Sequence, residues 1–174
     1  MIGGFGIIGA GLPASCGTAF ASKYKGTDQV STVFFGDGAI PQGAFHESMN
    51  IASIFKLPVL FVNDNNLYAM STAAEYNLVD KSTLCYAEAY KMPTKSVCGM
   101  TFFEVYDAVT EALEYIRSGK GPYYIECMNY RYNGQFEGDP QMYTPKEEVE
   151  YYRSHDPLKK FTNHVLSENW LTKA

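Results

Sequence analysis

The chain has 174 residues, of which 46% are hydrophobic and 19% are charged, and its formal net charge is −5. This length suits one domain, and so apolar a composition excludes an intrinsically disordered chain. The acidic balance, without any run of Lys or Arg, argues against nucleic acid or a membrane as a partner. The four cysteines form no C-x-x-C pair, so we predict reduced, mostly buried thiols in a cytoplasmic protein rather than a zinc site.

The chain begins with a long uncharged stretch, since no charged side chain precedes Lys23. A signal peptide would begin with positive residues, and a membrane span would not be interrupted by so many glycines. We predict instead a buried glycine-rich loop that enters a helix over residues 12–25. The loop contains Gly4-Phe5-Gly6-Ile7-Ile8-Gly9, which has the spacing of a dinucleotide-binding motif. That motif needs a preceding strand, so a nicotinamide-dependent Rossmann oxidoreductase is the less favoured alternative.

The rest of the chain alternates between strand and helix patterns. The apolar runs that predict strands are 29–35, 59–62 and 122–130. The patterns that predict helices cover 42–56, 82–91 and 101–119, and a last helix starts at 144–147. Strands that are apolar along their whole length, and that alternate with helices, indicate an α/β fold with a parallel sheet covered by helices on both faces.

Two of these helices carry capping signals. Thr101 and Glu104 have the spacing of a capping box, in which hydroxyl and carboxylate each satisfy a free backbone N–H. Gly119 supplies the stop signal for the same helix. In the last helix, Pro145 is predicted at the first helical position and Glu147 at the third.

Two polar clusters follow the first two predicted strands, Gly36-Asp37-Gly38-Ala39 and Asn63-Asp64-Asn65-Asn66-Leu67-Tyr68. One helix and one strand separate Asp37 from Asn66, so both should reach the carboxyl edge of the sheet, where ligands bind. Carboxylate and carboxamide oxygens suit Mg²⁺, and the glycines let a phosphate approach the backbone. The helix that starts near Gln42 could offer its N-terminal amides to the same anion. Either cluster alone could be an ordinary turn, but the two together favour a site.

These clusters resemble the signature of thiamine-diphosphate enzymes, in which Gly-Asp-Gly is followed some 26 residues later by Asn-Asn. The wider stretch 36–72 resembles the alpha subunit of 2-oxo acid and acetoin dehydrogenase complexes. Segments 3–13 and 130–140 resemble two cofactor loops of that family, and Phe-Glu-Gly-Asp-Pro at 136–140 looks closer to the acetoin enzymes than to the pyruvate enzymes. The resemblance covers nearly the whole chain and implies the thiamine-diphosphate-binding fold.

The resemblance also implies the site residues. Asp37, the side chain of Asn66 and the backbone carbonyl of Tyr68 would coordinate Mg²⁺. The other expected cofactor contacts are Gly36, Gly38 and Ala39 along the diphosphate, and Gly6 and Ile8 beside the aminopyrimidine and thiazolium rings. Gln135 stands where the family has a His that reaches the diphosphate, and a neutral bond in place of a charged one would cost about 1 kcal/mol. The nearby Glu137 and Asp139 are predicted to order their own loop.

The implied protein is an alpha subunit that uses thiamine diphosphate and Mg²⁺ to cleave acetoin or a 2-oxo acid. It would pass the two-carbon unit to a lipoyl-bearing acyltransferase, and it would act only with a beta subunit, in a heterotetramer. No catalytic residue is expected in this chain, because in the family the acid that activates the cofactor comes from the beta subunit. Residues 1–174 are expected to form a single diphosphate-binding domain, a fragment of a longer alpha subunit. Gln135 and the short length leave open the alternative of a non-catalytic remnant.

Overall fold

The structure is a computed structural model that describes residues 3–171. Its helices are α1 (Gly11–Tyr24), α2 (Gly43–Ile54), α3 (Ala74–Asn77), α4 (Leu84–Glu88), α5 (Phe102–Arg117), α6 (Lys146–Ser154) and α7 (Pro157–Ser167). Its strands are β1 (Ser31–Gly36), β2 (Val59–Asn65), β3 (Tyr68–Ala69), β4 (Thr72–Ala73), β5 (Thr94–Cys98) and β6 (Tyr123–Met128). A 3₁₀ turn at Asp37–Ala39 follows β1. None of the helices within the described range combines the length and apolar character needed to cross a membrane.

The main sheet has four parallel strands in the order β1-β2-β6-β5, and β3 and β4 form a separate antiparallel hairpin. Helices α1 and α2 pack on one face of the main sheet, and α5 packs on the other. The predicted α/β class, with a parallel sheet and helices on both faces, is therefore confirmed. Strand β5 was not predicted, because Thr94, Lys95 and Ser96 interrupt the apolar run that signals a buried strand.

Strand β1 differs from the buried strand that its sequence predicts. Val33 and Phe35 are buried, whereas Thr32 and Phe34 face solvent and 74% of Phe34 is exposed. The reason is the position of β1 at the sheet edge, because α5 packs over β2, β5 and β6. The side chains on the second face of β1 therefore have no helix above them within residues 3–171.

The glycine-rich loop before α1 is also more exposed than predicted. Residues 3–8 are all exposed, and Ile7 is 77% accessible to solvent. Within this loop, the ring of Phe5 packs towards the start of α1 and towards β1. A Cβ atom placed on Gly11 would lie 3.4 Å from the ring of Phe5 and 3.4 Å from the side chain of Val33. The expectation of a buried loop is wrong for these residues, because too little of the described chain packs over them.

The helix ends differ from the predicted caps. Thr101 makes no side-chain cap bond, and Glu104 Oε2 accepts instead from the backbone N–H of Cys98 at 3.1 Å, so the capping box is not formed. Pro145 is the N-cap of α6 rather than its first helical residue. The helix predicted over 82–91 is shortened to α4. Helix α7 was not predicted, although the Asp156 carboxylate caps it by accepting from the N–H groups of two following residues.

All four cysteines are free thiols, as predicted, but they are less buried than expected. Cys16 and Cys127 are buried, Cys98 is partly buried and Cys85 is exposed. Burial, with smaller contributions from nearby acidic groups, raises the pKa of Cys127 to about 11, so this thiol stays protonated and unreactive.

Candidate functional site

The two polar clusters meet at the carboxyl edge of the sheet, as their spacing predicts. In the β1–β2 ladder Gly36 lies opposite Asp64, so Asp37 follows directly beside the turn that ends β2. The carboxylate of Asp37 lies within hydrogen-bonding reach of the backbone N–H of Asn66. The fold therefore brings Asp37 of the first cluster next to Asn66 of the second.

Asp37 is a buried carboxylate whose hydrogen bonding is incomplete. Its exposure is only 1%, and its Oδ2 atom has no hydrogen-bond partner within residues 3–171. Burial raises the pKa of this carboxyl; backbone N–H groups of Asp37 and Asn66 and the more distant Arg131 lower it, and Asp64 raises it further. A buried carboxylate oxygen without a partner is costly, so this arrangement fits a bound cation that would neutralise it.

The turn between Asn66 and Tyr68 is held in an unusual backbone conformation. Leu67 has a φ of 66°, a left-handed value that costs a non-glycine residue about 1–3 kcal/mol. Its N–H donates to Asn65 Oδ1 at 3.2 Å, and its carbonyl accepts from the N–H of Ala74 at 2.8 Å. Asn66 Oδ1 accepts from the N–H of Tyr68 at 3.1 Å. Side-chain and backbone hydrogen bonds thus fix this turn on both sides of Leu67.

The carboxylate, amide and carbonyl oxygens of Asp37, Asn66 and Tyr68 suit a hard cation. Among residues 3–171 there is no group of three or more His, Cys, Asp or Glu side chains that could hold a metal. Mg²⁺ does not require one, because it is commonly bound by one or two carboxylates while phosphate and water fill its other positions. One buried carboxylate with nearby amide and carbonyl oxygens is therefore a suitable protein contribution.

The 3₁₀ turn after β1 leaves room for a close backbone approach at Gly38. A Cβ on Gly38 would lie 2.7 Å from the Cβ of Ala69, so only glycine lets the β3–β4 hairpin lie against this turn. The side chain of Ala39 is buried in the core, which leaves its backbone as the part that could face a ligand. Helix α2 begins shortly afterwards without a side-chain cap at Gln42, so its first N–H groups remain available for an anion.

A second polar loop, residues 131–143, is tied to this edge by Arg131. The guanidinium donates to the carbonyl of Met70 at 2.7 Å, in the hairpin loop, and to the hydroxyl of Tyr143 at 3.1 Å. It also donates to the Oε1 atom of Gln135. Gln135 is therefore connected to the hairpin through Arg131.

Asp139 orders the same loop, as predicted, whereas the Glu137 side chain, for which the same role was predicted, is exposed and makes no hydrogen bond within residues 3–171. The Asp139 carboxylate accepts from the hydroxyl of Tyr143 at 2.6 Å and from the N–H groups of Gln135 and Gln141 at 2.9 and 3.0 Å. The bond from Tyr143 is the largest of the effects that lower the pKa of Asp139. A Cβ on Gly134 would lie 2.4 Å from the Cβ of Asp139, so the loop also depends on glycine there.

Gly6 and Ile8 lie in the exposed loop before α1, and 63% of Ile8 is accessible to solvent. The loop comes near the start of α2, since a Cβ on Gly9 would lie 3.5 Å from the Cβ of Gln42. No described contact joins Gly6 or Ile8 to Asp37 or Asn66. Their expected role beside the cofactor rings stays a prediction.

Glu126 is a further residue near this edge, and the sequence patterns alone do not identify it. It lies on the inner strand β6 with 1% exposure. Its Oε1 atom accepts from the N–H of Thr83 at 2.6 Å and from Asn65 Nδ2 at 2.9 Å, and Oε2 accepts from Ser82 Oγ at 3.1 Å. Burial raises the pKa of this carboxyl, but its hydrogen bonds outweigh burial and lower it. The sequence signal that could have identified Glu126 is its position as an acidic residue inside the apolar run of β6.

The whole chain, residues 1–174, matches the model of a family described as dehydrogenase E1 component. It is 47% identical over 169 residues to the alpha subunit of acetoin:2,6-dichlorophenolindophenol oxidoreductase from Bacillus subtilis, covering 97% of this chain and 51% of that protein. It is 38% identical over 172 residues to the pyruvate dehydrogenase E1 component subunit alpha of Rickettsia bellii, covering 99% and 53%. The chain thus spans about half the length of these curated relatives.

A similar fold occurs in a solved structure described as a thiamin diphosphate-dependent enzyme from Mycobacterium smegmatis. The TM-score is 0.56 and the identity is 22%, over 72% of this chain and 23% of the other. At this identity the likeness supports the fold. The family predicted from the polar clusters is confirmed by the match over the whole chain.

Proposed function

Because the chain belongs to the dehydrogenase E1 component family, we propose that it binds the diphosphate of thiamine diphosphate through Mg²⁺ at the carboxyl edge of its sheet. The observation that carries this proposal is the buried, unpartnered oxygen of Asp37 beside the turn that contains Asn66. The chain spans about half of its curated relatives, so the activity, substrate and partners of the whole protein are part of the proposal.

In this proposal Asp37 Oδ2, the side-chain oxygen of Asn66 and the backbone carbonyl of Tyr68 hold the metal. Asp37 contributes the negative charge, and the uncapped start of α2 adds backbone N–H groups for the diphosphate. The remaining expected contacts to the diphosphate are Gly36, Gly38, the backbone of Ala39, and Gln135. Gly6 and Ile8 would lie beside the two rings of the cofactor.

Thiamine diphosphate, when bound, supplies the chemistry for cleaving a carbon–carbon bond next to a carbonyl group. The residues of this chain have the supporting roles of binding, orienting and neutralising the diphosphate end. We propose that the substrate is acetoin or a 2-oxo acid, because the curated relatives named for acetoin and for pyruvate both match nearly the whole chain. The two-carbon product would pass to a lipoyl-bearing acyltransferase, and a beta subunit would complete the site with the activating acid. A cytoplasmic location stays a prediction.

Cofactor binding is the direct test. Titration calorimetry with thiamine diphosphate, with and without Mg²⁺, should show binding by the purified protein that depends on the metal. The Asp37→Ala variant should lose this binding, because it removes the buried carboxylate oxygen that has no hydrogen-bond partner within residues 3–171. The matched control is Asp28→Ala, which removes an exposed carboxylate from the loop before β1. Equal binding by the wild type and Asp37→Ala would contradict the metal site.

Activity distinguishes the proposal from its alternatives. With its beta subunit, the protein should reduce an artificial electron acceptor with acetoin, pyruvate or a branched 2-oxo acid, and only with thiamine diphosphate present. A non-catalytic remnant would bind the beta subunit but not the cofactor. A nicotinamide-dependent enzyme would bind NAD instead, and the match of the whole chain to the dehydrogenase E1 component family does not favour this alternative.

A further inference from the structure

Glu126 is a buried carboxylate that is surrounded by hydrogen-bond donors and forms no ion pair with a basic side chain among residues 3–171. It lies in β6 opposite Asn63 of β2 and Ser96 of β5. Within residues 3–171 the ion pairs of the chain involve other acidic groups, Glu75 and Glu111. A carboxylate placed this deeply is expensive unless each oxygen is hydrogen-bonded, so its retention calls for a specific reason.

The Glu126 carboxylate and the carbonyl of Lys81 together determine which way the side chain of Asn65 points. A carboxylate can only accept, so Asn65 must present its Nδ2 group to Glu126, at 2.9 Å. The second hydrogen of the same group is donated to the carbonyl of Lys81, at 2.9 Å. With both donors used on that side, Asn65 Oδ1 faces the turn, where it accepts from the N–H of Leu67.

Leu67 in turn determines the shape of the segment that follows. Its left-handed backbone is unfavourable for a branched side chain and persists only where surrounding bonds hold it. The bond from its N–H to Asn65 and the bond from the N–H of Ala74 to its carbonyl both hold it. Asn66 and Tyr68 are its immediate neighbours.

We propose that Glu126 is a positioning residue for the metal site, acting through the amide of Asn65 to hold the left-handed turn at Leu67 that carries Asn66 and Tyr68. The proposal rests on the proposed function, since it takes those two residues as metal ligands. Glu126 itself lies behind the turn and contacts only protein groups among residues 3–171. Outer residues that orient metal ligands typically change metal affinity by about 10- to 100-fold when they are replaced.

Two isosteric substitutions test the link. In Asn65→Asp a carboxylate faces the carboxylate of Glu126. The hydrogen bond from Asn65 Nδ2 is therefore lost, and two negative charges lie close together. In Glu126→Gln the shape is kept but the charge that strengthens these hydrogen bonds is lost. We expect the Mg²⁺ concentration for half-maximal thiamine diphosphate binding to rise about tenfold or more in Asn65→Asp and less in Glu126→Gln.

The double variant supplies a test of the pair. When Asn65→Asp is combined with Glu126→Gln, only one of the two facing side chains is charged, so the repulsion between two carboxylates is removed, although the bond to the carbonyl of Lys81 is still lost. The double variant should therefore require less Mg²⁺ than Asn65→Asp alone. The control for general loss of stability is Ile116→Ala, in the core under α5, which should lower the unfolding midpoint without changing the Mg²⁺ requirement. If both single variants behave like Ile116→Ala, Glu126 has only a structural role and the proposal is overturned.

Amide hydrogen exchange gives a readout that needs neither metal nor cofactor. In the whole purified protein, the N–H of Leu67 should exchange faster in Asn65→Asp and in Glu126→Gln than in the wild type, whereas the N–H of Val62 in β2 should not. Unchanged exchange at Leu67 in both variants would overturn the proposal by itself. If the wild type binds no thiamine diphosphate even together with its beta subunit, the proposed function fails, and the exchange at Leu67 still decides whether Glu126 holds the turn.

Discussion

The two polar turns of the candidate site differ in how deeply the hydrogen bonds that hold them are buried. The turn at residues 65–68 is fixed from behind by a buried network around Glu126, which joins the end of β2, the start of α4 and β6. The loop at residues 131–143 is held by Asp139 and Arg131, close to solvent. Buried hydrogen bonds are costly to lose, whereas exposed ones compete with water. The first turn is therefore expected to be preformed, and the second to adjust when a ligand binds.

A large loss of stability is expected from breaking the buried network at Thr83. Its hydroxyl lies 2.9 Å from Glu126 Oε1 and accepts from the hydroxyl of Tyr124 at 2.8 Å. Thr83→Val keeps the shape but removes one of the donors to Glu126 Oε1 and the acceptor of the buried Tyr124 hydroxyl, so we expect a loss of about 1–3 kcal/mol in the free energy of unfolding, measured with urea. The control Thr110→Val, on the exposed surface of α5, should change it by less than about 0.5 kcal/mol. Equal losses of stability in Thr83→Val and Thr110→Val would show that the buried network contributes no more than an exposed hydroxyl group.

A smaller effect, of opposite sign, is expected at Asp37. Burial raises the pKa of its carboxyl, so the folded, metal-free protein holds this proton more tightly than the unfolded chain does. Stability should then fall as the pH rises from about 4, the pKa in an unfolded chain, through the raised value. Asp37→Asn does not titrate, so above that window it should be more stable than the metal-free wild type by about 1 kcal/mol. Urea unfolding at a series of pH values from the acidic to the neutral range, with a chelator, checks this, and a difference that does not depend on pH would contradict it.

Two glycine substitutions compare the surroundings of the two turns. Gly38 lies in the 3₁₀ turn that packs against the hairpin following residues 65–68, and Gly134 lies in the loop at residues 131–143. In Gly38→Ala the new methyl group meets the Cβ of Ala69, which is fixed to the backbone of the hairpin. We expect a loss of about 1–3 kcal/mol in stability together with weaker metal-dependent cofactor binding. In Gly134→Ala the new methyl group meets Asp139 in the exposed loop, so the loop should shift and cofactor binding should weaken while the unfolding midpoint stays the same. A large stability loss in Gly134→Ala would show that the two turns are equally rigid.

The smallest effect on global stability is expected at Asp139. Asp139→Asn weakens the bonds that close the exposed loop without touching either core, so the urea midpoint should not move. The loop itself should open more often, which trypsin can report through faster cleavage after Arg131. Glu137→Gln is the matched control, because it removes the same charge from an exposed position in the same loop. Identical cleavage rates in the two variants would contradict an ordering role for Asp139.

Local sequence signals predicted the parts of the fold that depend on local physics. The apolar runs and helical periodicity identified β1, β2 and β6 and the helices α1, α2 and α5. The spacing of Asp37 and Asn66 predicted their meeting, because successive parallel strands present their ends at one edge. Strand β5 was missed because its polar residues interrupt the apolar pattern. The capping box failed because Glu104 reaches the end of β5 instead of Thr101.

The sequence by itself determined the fold class, the family and the two polar clusters at the sheet edge. The tertiary structure alone decided that Phe34 stays exposed, because a sequence of strands does not state which one lies at the edge. It alone also decided the surroundings of Glu126, whose hydrogen-bond donors come from Asn65 and Thr83. These three residues are far apart in the chain, and no periodic pattern links them. They meet because β6 pairs with β2 in the middle of the sheet, and burial at that position makes each hydrogen bond between them necessary.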